Sequence, residues 1–217
     1  MTYDPLKDLA PIGLCARGTF LLVASAGSKI GSVGELVKKA RARPGSLDYA
    51  SPGVATGPHM AMELFKLQAQ VSITHIPFSG TAGAVNALLS GDVPLMFLAV
   101  HLVMAQVKGG RLVVLAAAGA HRSALAPDVP ILAELGYKGL EADLWYGILA
   151  PAGTPHDIIT KVNADMTTVL AMPEVRSALV AQGMTLAPSS PEEMAALMRR
   201  DSQRWAAVVK HAGIKAE

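Results

Sequence analysis

Leu47-Asp48-Tyr49-Ala50-Ser51-Pro52-Gly53-Val54-Ala55-Thr56-Gly57-Pro58 reads as a short strand, a loop of small residues and the opening of a helix. Leu47 to Ala50 is the strand and Ser51 to Gly57 the loop, and the helix begins near Pro58 with Met60, Leu64 and Leu67 spaced for one face. Val71 to Ile76 repeats the theme as a strand, followed by the turn Pro77-Phe78-Ser79-Gly80 and a helix from Thr81 to about Ser90 that Gly91 closes. Two strand-loop-helix units standing side by side predict an α/β fold.

The alternation continues in both directions. Upstream, Phe20-Leu21-Leu22-Val23-Ala24 is an extended run, and Ser32-Val33-Gly34-Glu35 is a capping box opening a helix that stops at Pro44-Gly45. Downstream, Pro94 to Val100 predicts a strand, His101 to Lys108 a helix and Arg111 to Ala118 another strand. Asp128 to Leu135 predicts a short helix, and Glu141 to Leu149 a strand carrying Trp145 and Tyr146. Thr154 is placed as N-cap with Pro155 at the first helical position. Helices over Pro155 to Ala171, Pro173 to Gln182 and from Ser190-Pro191-Glu192-Glu193 to His211 make the last third mostly helical.

The 217 residues are enough for one large domain or two lobes, and 51% apolar against 17% charged residues excludes disorder. A net charge of +2, with the cluster Lys38-Lys39-Ala40-Arg41-Ala42-Arg43 at a helix end, gives nucleic acid no footprint. Mean hydropathy is high at +0.36. Even so, the longest apolar stretch, Val93 to Val107, is interrupted by His101 and falls short of the roughly 17 to 25 residues that a spanning helix needs, so no membrane insertion is expected. Met1-Thr2-Tyr3-Asp4-Pro5 carries neither a basic region nor an apolar run, so the chain as written is expected to stay in the cytoplasm. Cys15 has no partner for an internal disulfide.

Chemistry concentrates at the two loops. A helix N-terminus presents unpaired N–H groups and the positive end of a dipole, so the loops Ser51 to Gly57 and Ser79 to Thr81 suit an anion, with hydroxyls on Ser51, Thr56, Ser79 and Thr81 as further donors. Ordinary turn formation explains the same Gly and Ser residues equally well. No G-x-S-x-G elbow occurs, no two of the 6 histidines are spaced as H-x-x-x-H, and no nucleotide-cradling glycine motif is present. Catalysis, a bound metal and a cofactor are therefore not expected. His59 is placed as a capping or packing residue in preference to a ligand contact, and Glu141 with Asp143 as one exposed strand face.

Tyr3-Asp4-Pro5-Leu6-Lys7-Asp8, Leu47 through His59, His75-Ile76-Pro77-Phe78-Ser79-Gly80 and Ala150-Pro151-Ala152-Gly153-Thr154-Pro155 together resemble the Bug-type extracytoplasmic solute receptors, the substrate-binding proteins of tripartite tricarboxylate transporters. The likeness runs from Tyr3 to Gly213-Ile214-Lys215. It implies a type II periplasmic-binding-protein-like two-lobed fold that closes on a small carboxylate and delivers it to membrane transporter subunits. By that likeness the ligand-binding residues are Ser51, Gly53, Thr56, Gly57, Phe78, Ser79, Gly80, Thr81, Leu98 and Ala99.

The resemblance also implies a leader and first-lobe strands ahead of Met1, so the first lobe is expected to be incomplete: residues 1–16 and 119–217 form its mostly helical remnant and 17–118 an intact second lobe. Leu98 stands where an aromatic followed by Asp is frequent, and Phe78-Ser79 where Tyr-Lys is, which favours a less charged or more apolar carboxylate. A ligand-sensing module, a non-binding fragment and a small carboxylate-processing enzyme are the alternative expectations.

Overall fold

The computed structural model describes residues 3–214. Lys215, at the end of the likeness, and the outermost residues of the expected first-lobe segments lie outside them. The chain divides into two compact units, one of residues 1–18 and 144–207, the other of residues 19–143 and 208–217.

The first unit is built on a three-stranded antiparallel sheet. β1 (Leu9–Gly18) lies between β7 (Leu144–Pro151) and the short β8 (Thr185–Leu186). The register of β1 with β7 slips between Pro11 and Gly13 and again between Leu14 and Ala16. Side chains satisfy the backbone groups freed there: Asn163 Nδ2 donates to the Ile12 carbonyl at 2.7 Å and the Ser189 carbonyl at 2.9 Å, and Ser189 Oγ accepts the Leu14 N–H at 3.0 Å. Helices α5 (His156–Ala171) and α6 (Pro173–Ala181) come between β7 and β8, and α7 (Pro191–Ala212) follows β8, belonging to this unit as far as Ala207.

Helix α5 starts one residue later than expected. Pro155 is its N-cap, and Thr154 Oγ1 turns back to donate to the Pro151 carbonyl at 2.8 Å. The capping box of α7 is reciprocal, with Glu193 N donating to Ser190 Oγ at 3.1 Å and Ser190 N to Glu193 Oε2 at 2.9 Å.

The second unit holds a five-stranded sheet in the order β4-β3-β5-β2-β6. Its strands are β2 (Phe20–Ser25), β3 (Asp48–Ser51), β4 (Thr74–Pro77), β5 (Leu95–Ala99) and β6 (Leu112–Ala117). Four helices connect them: α1 (Val33–Ala42), α2 (Gly57–Ala69), α3 (Thr81–Ser90) and α4 (Val100–Lys108). Every residue of β2 is buried, as its unbroken apolar run requires of a strand covered on both faces. Leu21, Val23, Ala50, Leu88, Met96, Leu98 and Val103 belong to one apolar cluster.

Three expectations change here. Leu67 is 36% exposed, so the buried side of α2 is carried by Met60, Ala61, Leu64 and Phe65 without it. Residues 128–135 form a succession of turns in which Glu134, Leu135 and Gly136 donate to Ile131, Leu132 and Ala133, with Pro130 interrupting any helical ladder. The second unit also extends past residue 118 to Asp143, because Ala117 and Ala118 bond this segment: Ala117 N donates to Pro130 O at 2.9 Å, Leu132 N to Ala117 O at 2.9 Å and Ala142 N to Ala118 O at 2.7 Å.

Candidate functional site

Strand β3 runs parallel to β4 on one side and to β5 on the other. The crossover from β3 leads through α2 to β4, whereas that from β5 leads through α4 to β6 on the far side of β2. The connections thus diverge between β3 and β5, the position outside the carboxyl ends of strands where open α/β sheets receive ligands. The N-termini of α2, α3 and α4 all open at that edge. β5 passes into α4 without an intervening residue, and the three-residue turn 78–80 separates β4 from α3.

Within this unit, α1 has its N-terminus capped, Ser32 Oγ accepting the Glu35 N–H at 3.1 Å. None of the three helices at the sheet edge has a side-chain cap. Thr56, the N-cap of α2, spends its hydroxyl on the Gly53 carbonyl at 2.8 Å, and the N-caps of α3 and α4 are Gly80 and Ala99. Pro58 leaves the first turn of α2 with one amide fewer than that of α3, where Thr81, Ala82 and Gly83 are all exposed. No Lys, Arg, Asp or Glu occurs from Tyr49 to Met62, from Thr74 to Ser90 or from Pro94 to Val107. The positive potential here is that of backbone dipoles.

The expected site residues separate into three sets. Gly53, Thr56, Gly57, Phe78, Ser79, Gly80, Thr81 and Ala99 come together at this edge. The backbone ties the turn to the loop, with Phe78 N donating to Ser51 O and Gly80 N to Pro52 O, each at 3.0 Å. Gly80 holds φ at 104°, which favours glycine, and Gly57 lets Phe20 approach so closely that a Cβ there would meet its ring at 3.0 Å. Ser51 is fully buried and its hydroxyl turns inward. Leu98 is 2% exposed within the apolar cluster, so its side chain packs in the core.

Behind the loop lies a group whose histidines stand apart in the sequence. Tyr49 and His75 are register partners on β3 and β4, and the His59 and His75 rings stack with centroids 3.9 Å apart and planes within 8°. His75 Nε2 is 2.6 Å from Ser51 Oγ, and Ser51 Oγ in turn accepts the Gly53 N–H at 3.2 Å and lies 2.9 Å from the Gly53 carbonyl oxygen. His59 Nδ1 accepts the Ala55 N–H at 2.9 Å, which puts the proton of the neutral ring on Nε2, 3.9 Å from Glu63 Oε1. That same carboxylate oxygen accepts from Tyr49 Oη and, at 2.6 Å, from Lys66 Nζ. The retrospective signal is spacing: Tyr49 and Ser51 share a strand face, and His59, Glu63 and Lys66 follow at one helical face.

Burial lowers the pKa of both imidazoles, to about 4 for His75, where a charge on His59 would depress it further. Burial and then the bond to Glu63 raise that of the Tyr49 phenol. The His75 value lies below the unfolded 6.5, so between the two the unfolded chain holds more protons. This contribution to stability is complete above about pH 6.5 and is lost as the pH falls through about 4. The melting temperature is therefore expected to fall over that window more steeply in the wild type than in His75→Gln, as followed by circular dichroism; parallel profiles would refute it.

No metal-holding group of His, Cys, Asp or Glu occurs among the described residues, and no helix there is long and apolar enough to cross a membrane.

Comparison with known proteins places these features in a lineage. BugT of Bordetella pertussis is 33% identical over 98% of this chain, which spans 65% of that protein's length, under two thirds. Among solved structures, R. palustris Rpa4515 with adipate superposes with a TM-score of 0.88 at 31% identity, covering 99% of this chain and 72% of that one. MatC from Rhodopseudomonas palustris with bound malate gives a TM-score of 0.84 at 28% identity, covering 96% and 72%. The fold is accordingly the α/β fold of periplasmic binding proteins, and the family described as Tripartite tricarboxylate transporter family receptor (TctC) matches residues 1–214, so the chain belongs to that family of Bug-type receptors.

Proposed function

We propose that this chain receives a small carboxylate for a periplasmic receptor, which delivers it chemically unchanged to the membrane subunits of a tripartite tricarboxylate-type transporter. The observation that carries the reading is the meeting of three uncapped helix N-termini at the divergence of β3 and β5, on segments that hold no Lys, Arg, Asp or Glu. Backbone amides of α2 and α3 would take the carboxylate oxygens, with the exposed hydroxyls of Ser79 and Thr81 adding donors. Adipate and malate on relatives of the same fold are consistent with this chemistry.

Half-buried Val54, Phe78 and Ala99 border the amides and favour a carboxylate with an apolar body. Thermal unfolding of the chain with malate, adipate, benzoate and the neutral diamide of adipate tests this. A bound carboxylate at 100-fold its Kd adds about 2.7 kcal/mol, and adipate is expected to act at lower concentration than malate while the diamide does nothing. Equal shifts from diamide and diacid, or none from any carboxylate, would overturn the reading.

A further inference from the structure

We infer that the stacked pair His59 and His75 are positioning residues: from beneath, they lock the Ser51–Gly57 loop in the one backbone arrangement that presents its edge to an anion. The inference rests on the carboxylate reading above. Both imidazoles are engaged inside the protein: His59 is 4% exposed, and half-buried His75 is held by Ser51 and by the His59 ring.

The loop needs such a lock. Its path includes Gly53 at φ 147° and, without the freedom of glycine, Ala55 at φ 59°, a left-handed conformation that costs an L-residue of order 1 kcal/mol. Side chains acting from one layer down hold both. His59 takes the Ala55 N–H, and His75 fixes Ser51 Oγ, which brackets Gly53 by its N–H and its carbonyl. Thr56 closes the bracket through its own bond to the Gly53 carbonyl.

The chemistry fits a neutral pair. A charge on either of two imidazoles in parallel contact disfavours a charge on the other, and the groups facing them are Tyr49 and Ser51 from β3 with Glu63 and Lys66 from α2, the latter two already joined as an ion pair. A neutral His59 offers Nδ1 as the acceptor that Ala55 requires, whereas protonation would turn that nitrogen into a donor facing an N–H. The lock therefore opens on acidification.

The test uses the 217-residue chain and four variants: His59→Leu and His75→Leu, which remove the contacts, and His59→Asn and His75→Gln, which keep a polar atom near Nδ1 and Nε2 respectively. Amide hydrogen exchange at Gly53 and Ala55 reads the loop, with Leu21 to Val23 in β2 as the reference for global opening. Calorimetric titration with adipate and with malate reads binding.

Each Leu variant is expected to speed exchange at its loop amide at least tenfold and to weaken carboxylate binding at least tenfold, with β2 unchanged. The Asn and Gln variants are expected to stay within about threefold on both readouts. On acidification below the ordinary imidazole range, the wild-type Ala55 amide is expected to lose protection relative to its intrinsic exchange rate at each pH, while β2 stays protected. Loop exchange or affinity unchanged in the Leu variants would overturn the inference, as would failure of the Asn and Gln variants to rescue. A Leu variant whose β2 amides open as well is judged by its Asn or Gln counterpart alone. If the wild type binds neither diacid, the carboxylate reading falls, while the exchange data still decide whether the pair holds the loop.

Discussion

Gly13→Ala is expected to destabilise the first unit by about 3 kcal/mol, the cost of overpacking together with a disturbed polar bridge. A Cβ at this position would lie 2.6 Å from Asn163 Nδ2, 2.7 Å from Met166 Cε and 2.8 Å from the Ser189 carbonyl oxygen. The methionine can swing aside. The carbonyl belongs to the backbone, and Asn163 is held between it and Ile12 O, so relief breaks the bonds that satisfy the register slip of β1.

Tryptophan fluorescence isolates the effect, because both tryptophans, Trp145 and Trp205, lie in this unit, and Trp145 Nε1 donates to Asp201 Oδ2 at 2.8 Å. A lower denaturation midpoint is expected. Gly18→Ala, in the same unit, where a Cβ would make only ordinary contact with Leu144 at 3.6 Å, should move it by no more than about 0.5 kcal/mol. Equal effects from the two substitutions would show that the close approach at Gly13 does not constrain the fold.

Glu63→Leu carries the second large effect, again about 3 kcal/mol, now in the second unit. Its carboxylate is the shared acceptor for Tyr49, which is fully buried, and for Lys66, whose side chain is 20% exposed. Leucine leaves the phenol buried without a partner, at roughly 1–3 kcal/mol, and removes the counter-charge from an ammonium that regains only part of its hydration. Glu63→Gln keeps an acceptor for the phenol and should cost about 1 kcal/mol. Tyr49→Phe combined with Glu63→Leu should recover part of the loss, since removing both partners leaves no orphan donor. Circular dichroism melts of the wild type, these three variants and Tyr49→Phe alone decide it; strictly additive single effects would mean that the phenol and carboxylate are uncoupled.

The sequence was most readable where local rules and burial agree. The capping boxes at Ser32 and Ser190, the glycine closing α3 at Gly91 and the apolar run of β2 each specify their element from a few neighbouring residues. Pairing was less readable. Residues 128–135 look helical by composition, yet backbone bonds to Ala117 pull them alongside β6, a partner no local window contains. Thr154 looked like a cap because Pro follows it, but the bond to Pro151 ends the preceding turn instead.

At the candidate site, the helix starts were visible as small-residue loops, whereas the roles of individual side chains were not. Ser51 and Leu98 face inward because strand alternation and the register of β3 and β5 turn them there. The histidines stand apart in the sequence, with 15 residues, most of α2 among them, between His59 and His75. The parallel pairing of β3 with β4 sets His75 beside Tyr49, and α2 lays His59 against it.

The two loops at the sheet edge differ in how freely evolution can rewrite them. The Ser51–Gly57 loop is welded to the core through its side chains, so a change there disturbs the fold before it alters recognition. The Phe78–Gly80 turn is fixed by its backbone bonds, by Gly80 at φ 104° and by Phe78 packed against the apolar cluster, none of which uses the exposed Ser79 and Thr81 side chains. On the proposed reading, a lineage of such receptors can exchange one solute preference for another by editing those outward positions at little risk to stability. A duplicated copy of this chain would then have a short path to a new nutrient.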